Sequence, residues 1–391
     1  MQVLNKNTAE ITCRSFSTSA GCTELFLTVT SRDDATFDEA LEELKDAYLS
    51  ALDDFSLSEE TLQFTRIYVS DVSNEYHTLI KSPLYNLLHF GAVSIIQQSP
   101  LCGPASLLVY HIKDGKHCVN KNSVLKKSDS QLQNVFTTGQ NYTLLWTANC
   151  TSNASGSEKQ TEDLFSTLSA SLNKYNLTIQ CNTVRTWIYV RDIDNNYKGM
   201  VDARRELFSK IGLTENTRYI ASTGIEGKMA ETQSLVTVDS LSIGNLKEEQ
   251  IIRMEALDNL SSTILYGVTF ERGTRIRFGD RSHLYISGTA SIDNKGAILY
   301  PGDIRGQAER TIDNIIALLK PHAATLEDMQ YIIIYMRNRK HYQFIQDILA
   351  IRIPANVLLI PVEGAVCRPG WLIEMEGVGI IEDSADYPPF F

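Results

Sequence analysis

Near its C-terminus the chain reads Val366-Cys367-Arg368-Pro369-Gly370-Trp371-Leu372-Ile373-Glu374-Met375-Glu376-Gly377. Its second half has the character of a strand, yet it carries acids at alternate positions, and alternate strand residues point the same way. A carboxyl held among apolar neighbours has a raised pKa, because desolvation disfavours its charged form. Such a group can act as a general acid near neutral pH. The competing reading is a pair of carboxylates at a solvated strand edge. We assign the chemistry to Glu374 and an ion-pair or surface role to Glu376.

Other residues of the right type lie near in sequence or in pattern. Arg368 can grip a carboxylate bidentately, or it can pair with a nearby acid. Cys367, its neighbour, points to the opposite face of a regular strand and is read as a packed thiol or a pocket wall. Arg272, Arg275 and Arg277 precede another strand, with Arg275 and Arg277 on one face of an extended segment. They would clamp a small anionic ligand, or they form a charged connector. Ser222-Thr223-Gly224-Ile225-Glu226-Gly227 can present backbone N–H groups to an anion or make an ordinary turn. Thr289 and Tyr335 qualify as pocket residues by position.

The elements that must hold these residues repeat along the chain. "TRIYVSDVSNEY", "RTWIYVRDIDNNY" and "YIIIYMRNRKHY" share one pattern: a β-branched and aromatic run, a polar turn, and a Tyr opening a helical stretch. Tyr68, Tyr189 and Tyr335 are thus equivalent, which favours core packing for Tyr335. Before each run comes a strand ("ELFLTVTS", "TLLWTANC", "HLYISGTAS") and an amphipathic helix. Its apolar face is Phe37, Leu41, Leu44, Tyr48 and Leu52 in the first unit, then Leu164, Leu168, Leu172 and Tyr175, then Ile304, Ala308, Ile312, Ile315 and Leu319. Each unit therefore reads strand, helix, strand, helix, strand, strand. The expected modules are residues 1–115 (degenerate), 116–245, and 246–391, the last carrying the active-site strand. Aligning Cys102 on Cys367 puts Val109 at the place of Glu374 and His111 at that of Glu376, so the fold does not require the acids.

The 391 residues are 43% hydrophobic and 21% charged, ordinary values for a globular chain, with a formal net charge of -11. That balance disfavours nucleic acid as a partner. Seven cysteines, an odd number with no CxxC pair, read as reduced thiols with no metal site. The first residues lack an apolar leader, and no long apolar run suggests a membrane span. These features predict a cytoplasmic protein without a membrane partner.

"LYISGTASIDNKG", "GDIRGQAERTIDNIIALL", "MQYIIIYMRN" and "CRPGWLIEMEGVGI" resemble the RidA/YjgF (endoribonuclease L-PSP) superfamily, whose members are trimers of α+β modules with ligand sites between subunits. The resemblance implies an α+β fold of three tandem chorismate-mutase-like modules, a pseudo-trimer with inner sheets and outer helices. It also implies a chain that is monomeric or only weakly self-associating. From about Leu144 to Ile381 the likeness is to the chorismatases, through "TWIYVRDIDNNYKGMVDARRELFSKIGL", "ASTGIEG" and "CRPGWLIEMEG". It implies release of pyruvate from the enolpyruvyl ether of chorismate or a related carboxylated metabolite, without cofactor. Glu374 would be the proton donor, with Cys367 lining the pocket and Arg368, Arg272, Arg275 and Arg277 available to carboxylates. The segment 256–281 keeps Tyr266-Gly267 but departs from the family's Pro-, Tyr- and Gln-rich stretch. The superfamily's imine deaminases hold a carboxylate with an arginine whose position here is Leu359. A non-catalytic metabolite-binding protein is the alternative; a ribonuclease fits the acidic balance poorly.

Overall fold

The computed structural model describes residues 2–5, 9–114, 120–124, 132–263 and 267–391. The expected module boundary at 115/116 and Tyr266 lie outside them. Three six-stranded sheets follow one another along the chain, with the same internal order. The first holds β1 (Gln2–Asn5), β2 (Ala9–Ser17), β3 (Cys22–Ser31), β4 (Leu62–Val69), β5 (Ala92–Gln97) and β6 (Ala105–Asp114), in the order β1-β2-β3-β6-β4-β5. The second holds β7 (Asn120–Val124), β8 (Gln133–Thr138), β9 (Thr143–Thr151), β10 (Thr183–Val190), β11 (Ala221–Glu226) and β12 (Val236–Gly244). The third holds β13 (Ile251–Met254), β14 (Gly273–Arg277), β15 (Arg281–Ala290), β16 (Met329–Met336), β17 (Leu358–Glu363) and β18 (Ile373–Glu382). Each module has two more strands than the sequence pattern suggested. The leading antiparallel pair, β1–β2 and its counterparts, sits at a sheet edge, where one-sided pairing gives a weak apolar signal.

Strands β4, β10 and β16 are buried at every position. One face of each sheet meets its own helices and the other meets a core shared by all three modules. The expected helical faces are the buried ones: Leu41, Leu44 and Tyr48 in Phe37–Phe55, Leu164, Leu168 and Leu172 in Ser157–Asn173, and Ala308, Ile312 and Ile315 in Ile304–Leu319. Along the shared axis Phe64 stacks on Trp146 at 4.5 Å between ring centroids, and Trp146 on Trp187 at 5.9 Å. The chain is thus an α+β pseudo-trimer with sheets inside and helices outside. No helix among the described residues is long and apolar enough to cross a membrane.

The strand register corrects one alignment. Tyr68, Tyr189 and Tyr335 pair with Ile96, Ile225 and Val362 on the parallel side, at matching positions. On the antiparallel side they pair with Ser106, Thr237 and Glu374. Ser106, not Val109, is therefore the first-module counterpart of Glu374. The cysteine anchor failed because Ser106 lies four positions after Cys102, whereas Glu374 lies seven after Cys367. A slip of three also inverts which face a side chain takes.

Candidate active site

Glu374 stands on β18, opposite Ala290 of β15 and Tyr335 of β16. It opens into a cavity of about 320 Å³ in the seam between the second and third modules. The helix Ile193–Lys210 supplies Tyr197, Val201 and Arg204 at the 3.6-residue period of one helical face. Strand β11 adds Ser222 and Gly224, the 267–272 segment adds Arg272, and the loop before β18 adds Cys367, Arg368 and Trp371. That connection is two residues longer than its counterpart in the first module, eleven positions from Glu363 to Glu374 against nine from Gln97 to Ser106.

The Glu374 carboxyl is 4% exposed. Burial, then the negative charge of Glu376, pushes its pKa up to about 8, while Arg272 and Arg185 pull it down. Near neutral pH it therefore holds a proton. Cys367 is pushed up to about 12, by burial first and by Glu374 second, so its thiol stays neutral. Glu376 is fully enclosed. It contacts Arg185 and Thr223, and accepts from Trp187 Nε1 at 2.9 Å and from the Tyr335 hydroxyl at 2.9 Å. With every neighbour aimed at it, Glu376 ties the second module to the third.

Four arginines line the cavity; Arg205 is ion-paired with Asp202 at 2.9 Å, and the other three are Arg204, Arg272 and Arg368. Arg204 is 2% exposed and donates from Nη1 to Ser222 Oγ at 3.3 Å, while its Nε has no partner. Burial lowers its pKa, with Tyr197 and Cys367 opposing. Arg272 donates from Nε and Nη2 to the Ser261 carbonyl at 3.2 and 3.1 Å, with its guanidinium 5.6 Å from the Phe270 ring. Arg368 lies 4.8 Å over the Trp371 ring and donates to the Gly296 carbonyl at 3.3 Å. Carbonyls and rings fix the orientation of these last two guanidinium groups.

Of the residues singled out in the sequence, Glu374, Arg368, Cys367, Arg272 and Gly224 meet here. Arg275 and Arg277 do not. They share a face as expected, but that face carries Asp383, which takes Arg275 Nη2 at 2.7 Å and Arg277 Nε at 3.0 Å. These partners hold the Asp383 carboxyl well below its usual range against the opposing effect of burial. Thr289 is enclosed and donates to the Ser287 carbonyl at 2.9 Å, and Tyr335 belongs to the core through Glu376. The stretch Ala221–Glu226 is a strand paired with β10, not an anion-binding loop. Its Gly224 leaves room for Tyr197, whose ring a Cβ would meet at 3.1 Å. Sequence reasoning missed Arg204, Tyr197, Trp371 and Gly288. The Tyr197-Val201-Arg204 spacing was the available signal for two of them.

No family model matches the chain. Its fold is that of a crystallised chorismatase, which is 16% identical, superposes with a TM-score of 0.62, and aligns over 96% of this chain and 100% of that one. Smaller proteins align with about one module. A putative endoribonuclease L-PSP from Entamoeba histolytica is 14% identical over 34% of this chain and 99% of its own, with a TM-score of 0.30. A protein of the conserved Rid family from Yersinia pestis is 21% identical over 34% and 99%, also with a TM-score of 0.30.

Proposed function

We propose that the protein hydrolyses the enolpyruvyl ether of chorismate, or of a related carboxylated enol ether, in the cavity around Glu374. The observation that carries this reading is a carboxyl with a pKa of about 8 facing a cavity that Arg204, Arg272 and Arg368 also line. The likeness in fold to a chorismatase supports it. Arg204, Arg272 and Arg368 hold the substrate carboxylates. Glu374 gives its proton to the terminal methylene carbon of the enol ether, leaving an oxocarbenium ion next to the ether oxygen. Water adds to that carbon and returns a proton to Glu374. The hemiketal then collapses, breaking the bond to the ether oxygen and releasing pyruvate and an alcohol. Low solvation at Glu374 serves this step twice, by keeping the acid protonated and by strengthening its field on the developing cation.

The test is to mix purified protein with chorismate and measure pyruvate. Steady release that is lost in Glu374→Gln supports the proposal. Stabilisation by chorismate without pyruvate marks a binding protein instead, and neither effect rejects chorismate as the ligand.

A further inference from the structure

A second cavity, also of about 320 Å³, opens where the three modules meet on the pseudo-threefold axis. Its wall comes from the ends of the parallel edge strands. Gln97, Glu226 and Glu363 are equivalent positions there, paired with Val69, Val190 and Met336. The next residues are Gln98, Gly227 and Gly364, so the first module alone contributes a side chain at that step.

That side chain is incompletely satisfied. Gln98 is 1% exposed and donates from Nε2 to the Glu226 carbonyl at 2.6 Å, which fixes the orientation of the amide. Its Oε1 is then a buried acceptor without a partner. Donors are left over too. Arg191 donates from Nη2 to the carbonyls of Met229 and Glu231, and Arg337 grips Asp194 at 2.9 and 3.0 Å, yet Nε of each arginine is buried and unpartnered. An unsatisfied buried polar atom costs about 1–3 kcal/mol, so groups in this condition call for a partner. Lys228 adds a further cation to the lining.

We propose that this axial cavity is a second small-molecule site and that it takes a free α-amino acid or a zwitterion of similar size. A simple anion would be drawn to Arg191, Lys228 and Arg337 but repelled by Glu226 and Glu363. A simple cation would meet the reverse. A ligand bearing both charges satisfies both sets: its carboxylate accepts from the arginine Nε groups and Lys228, and its ammonium donates to Gln98 Oε1 and the two glutamates. The inference does not depend on the reaction proposed for the Glu374 cavity.

The experiment is calorimetric titration of the full chain with each of the standard amino acids, followed by the amine and the carboxylic acid derived from any that binds. Saturable binding is expected for at least one amino acid. Each half-molecule should bind about 10–100-fold more weakly, the worth of one charge-assisted hydrogen bond. Lys228→Met and Glu363→Gln should weaken the amino acid by a similar factor, and Glu374→Gln should leave it unchanged. Both replaced side chains are partly exposed, so the variants should fold, and their thermal transitions verify that. No binding by any amino acid overturns the proposal. So does equal binding of a half-molecule, indifference to both axial variants, or loss in Glu374→Gln.

Discussion

The seam between the first and second modules and the seam between the second and third are built on one plan, yet one is closed and the other holds the cavity. In each, a parallel edge strand meets a bulged strand of the next module: β5 against β9, and β11 against β15. In each, an acid is buried opposite the bulge, Asp239 beside Trp187 and Glu376 beside Ile333 at equivalent register. Each acid has a buried arginine, Arg66 at 3.5 Å from Asp239, and Arg185 in contact with Glu376. The difference lies in two side chains. The closed seam has Thr237 where the open one has Glu374, and Asn149 in the bulge where the open one has Gly288.

Asn149 closes its seam by acting as a plug. Its Oδ1 accepts from the Ile95 N–H at 3.3 Å, and its Nδ2 donates to the Val93 carbonyl at 2.6 Å, so β5 is fastened to the bulge of β9. Gly288 has no side chain to do this. Its N–H donates to Thr223 Oγ1 at 3.0 Å, and a Cβ at that position would collide with the Glu374 carboxyl. The lesson is that Glu376 and Asp239 are the common architectural acids, whereas Glu374 occupies space that a glycine vacated. The third seam differs again: Leu108 stands where Glu376 does, and its buried acid is Glu24, which meets Arg281 at 2.7 Å and His283 at 2.9 Å.

The comparison can be broken most directly at Glu374. Glu374→Gln should cut pyruvate release by about 10²–10⁴-fold, the usual share of a general acid, with no loss of thermal stability near neutral pH. A fully active variant would end the division between working and architectural acids. Glu376→Ala should instead destabilise the chain by about 3–5 kcal/mol, because Arg185 is left buried without its counter-charge; denaturant titration measures it. Gly288→Ala, which displaces the Glu374 carboxyl without touching its chemistry, should lower the rate constant by roughly 10²-fold while leaving ligand-induced stabilisation detectable. Asn149→Ala should have the opposite profile: a loss of about 1–3 kcal/mol from the freed β5 backbone groups, with pyruvate release unaffected.

A further expected effect is one of pH. An unfolded glutamate titrates near about 4.3, while burial raises folded Glu374 to about 8. Between these values the folded state holds a proton that the unfolded state has lost. Stability from this group is therefore full below the lower value and declines as pH rises through the upper one. The rate of an acid-catalysed step should fall over the same upper limb. Glu374→Gln should flatten that part of the stability profile, and thermal melts from pH 5 to about 9 would show whether it does.

Much of the architecture was legible because its signals are local. The apolar faces of three helices and the recurrence of Tyr68, Tyr189 and Tyr335 need no knowledge of what lies across a seam. The site was legible in part. Glu374, Cys367 and Arg368 share one short stretch, and the cavity gathers them. Arg275 and Arg277 looked equally suited, but a partner more than a hundred residues away, Asp383, claims both. The slip that set Val109 against Glu374 arose in a loop, where length changes without cost to the sheet.

What the chain determined by itself was periodicity: which residues form strands, which helical faces are apolar, and that the pattern occurs three times. Those are consequences of backbone geometry and of burying apolar surface, and they act over a few residues. Only the assembled fold decided that Gly288 leaves room where Asn149 fills it, that Arg204 comes from another module to line the Glu374 cavity, and that one acid of an alternating pair stays protonated while the other binds Arg185. Desolvation and long-range pairing set those outcomes, and neither exists until the seams close.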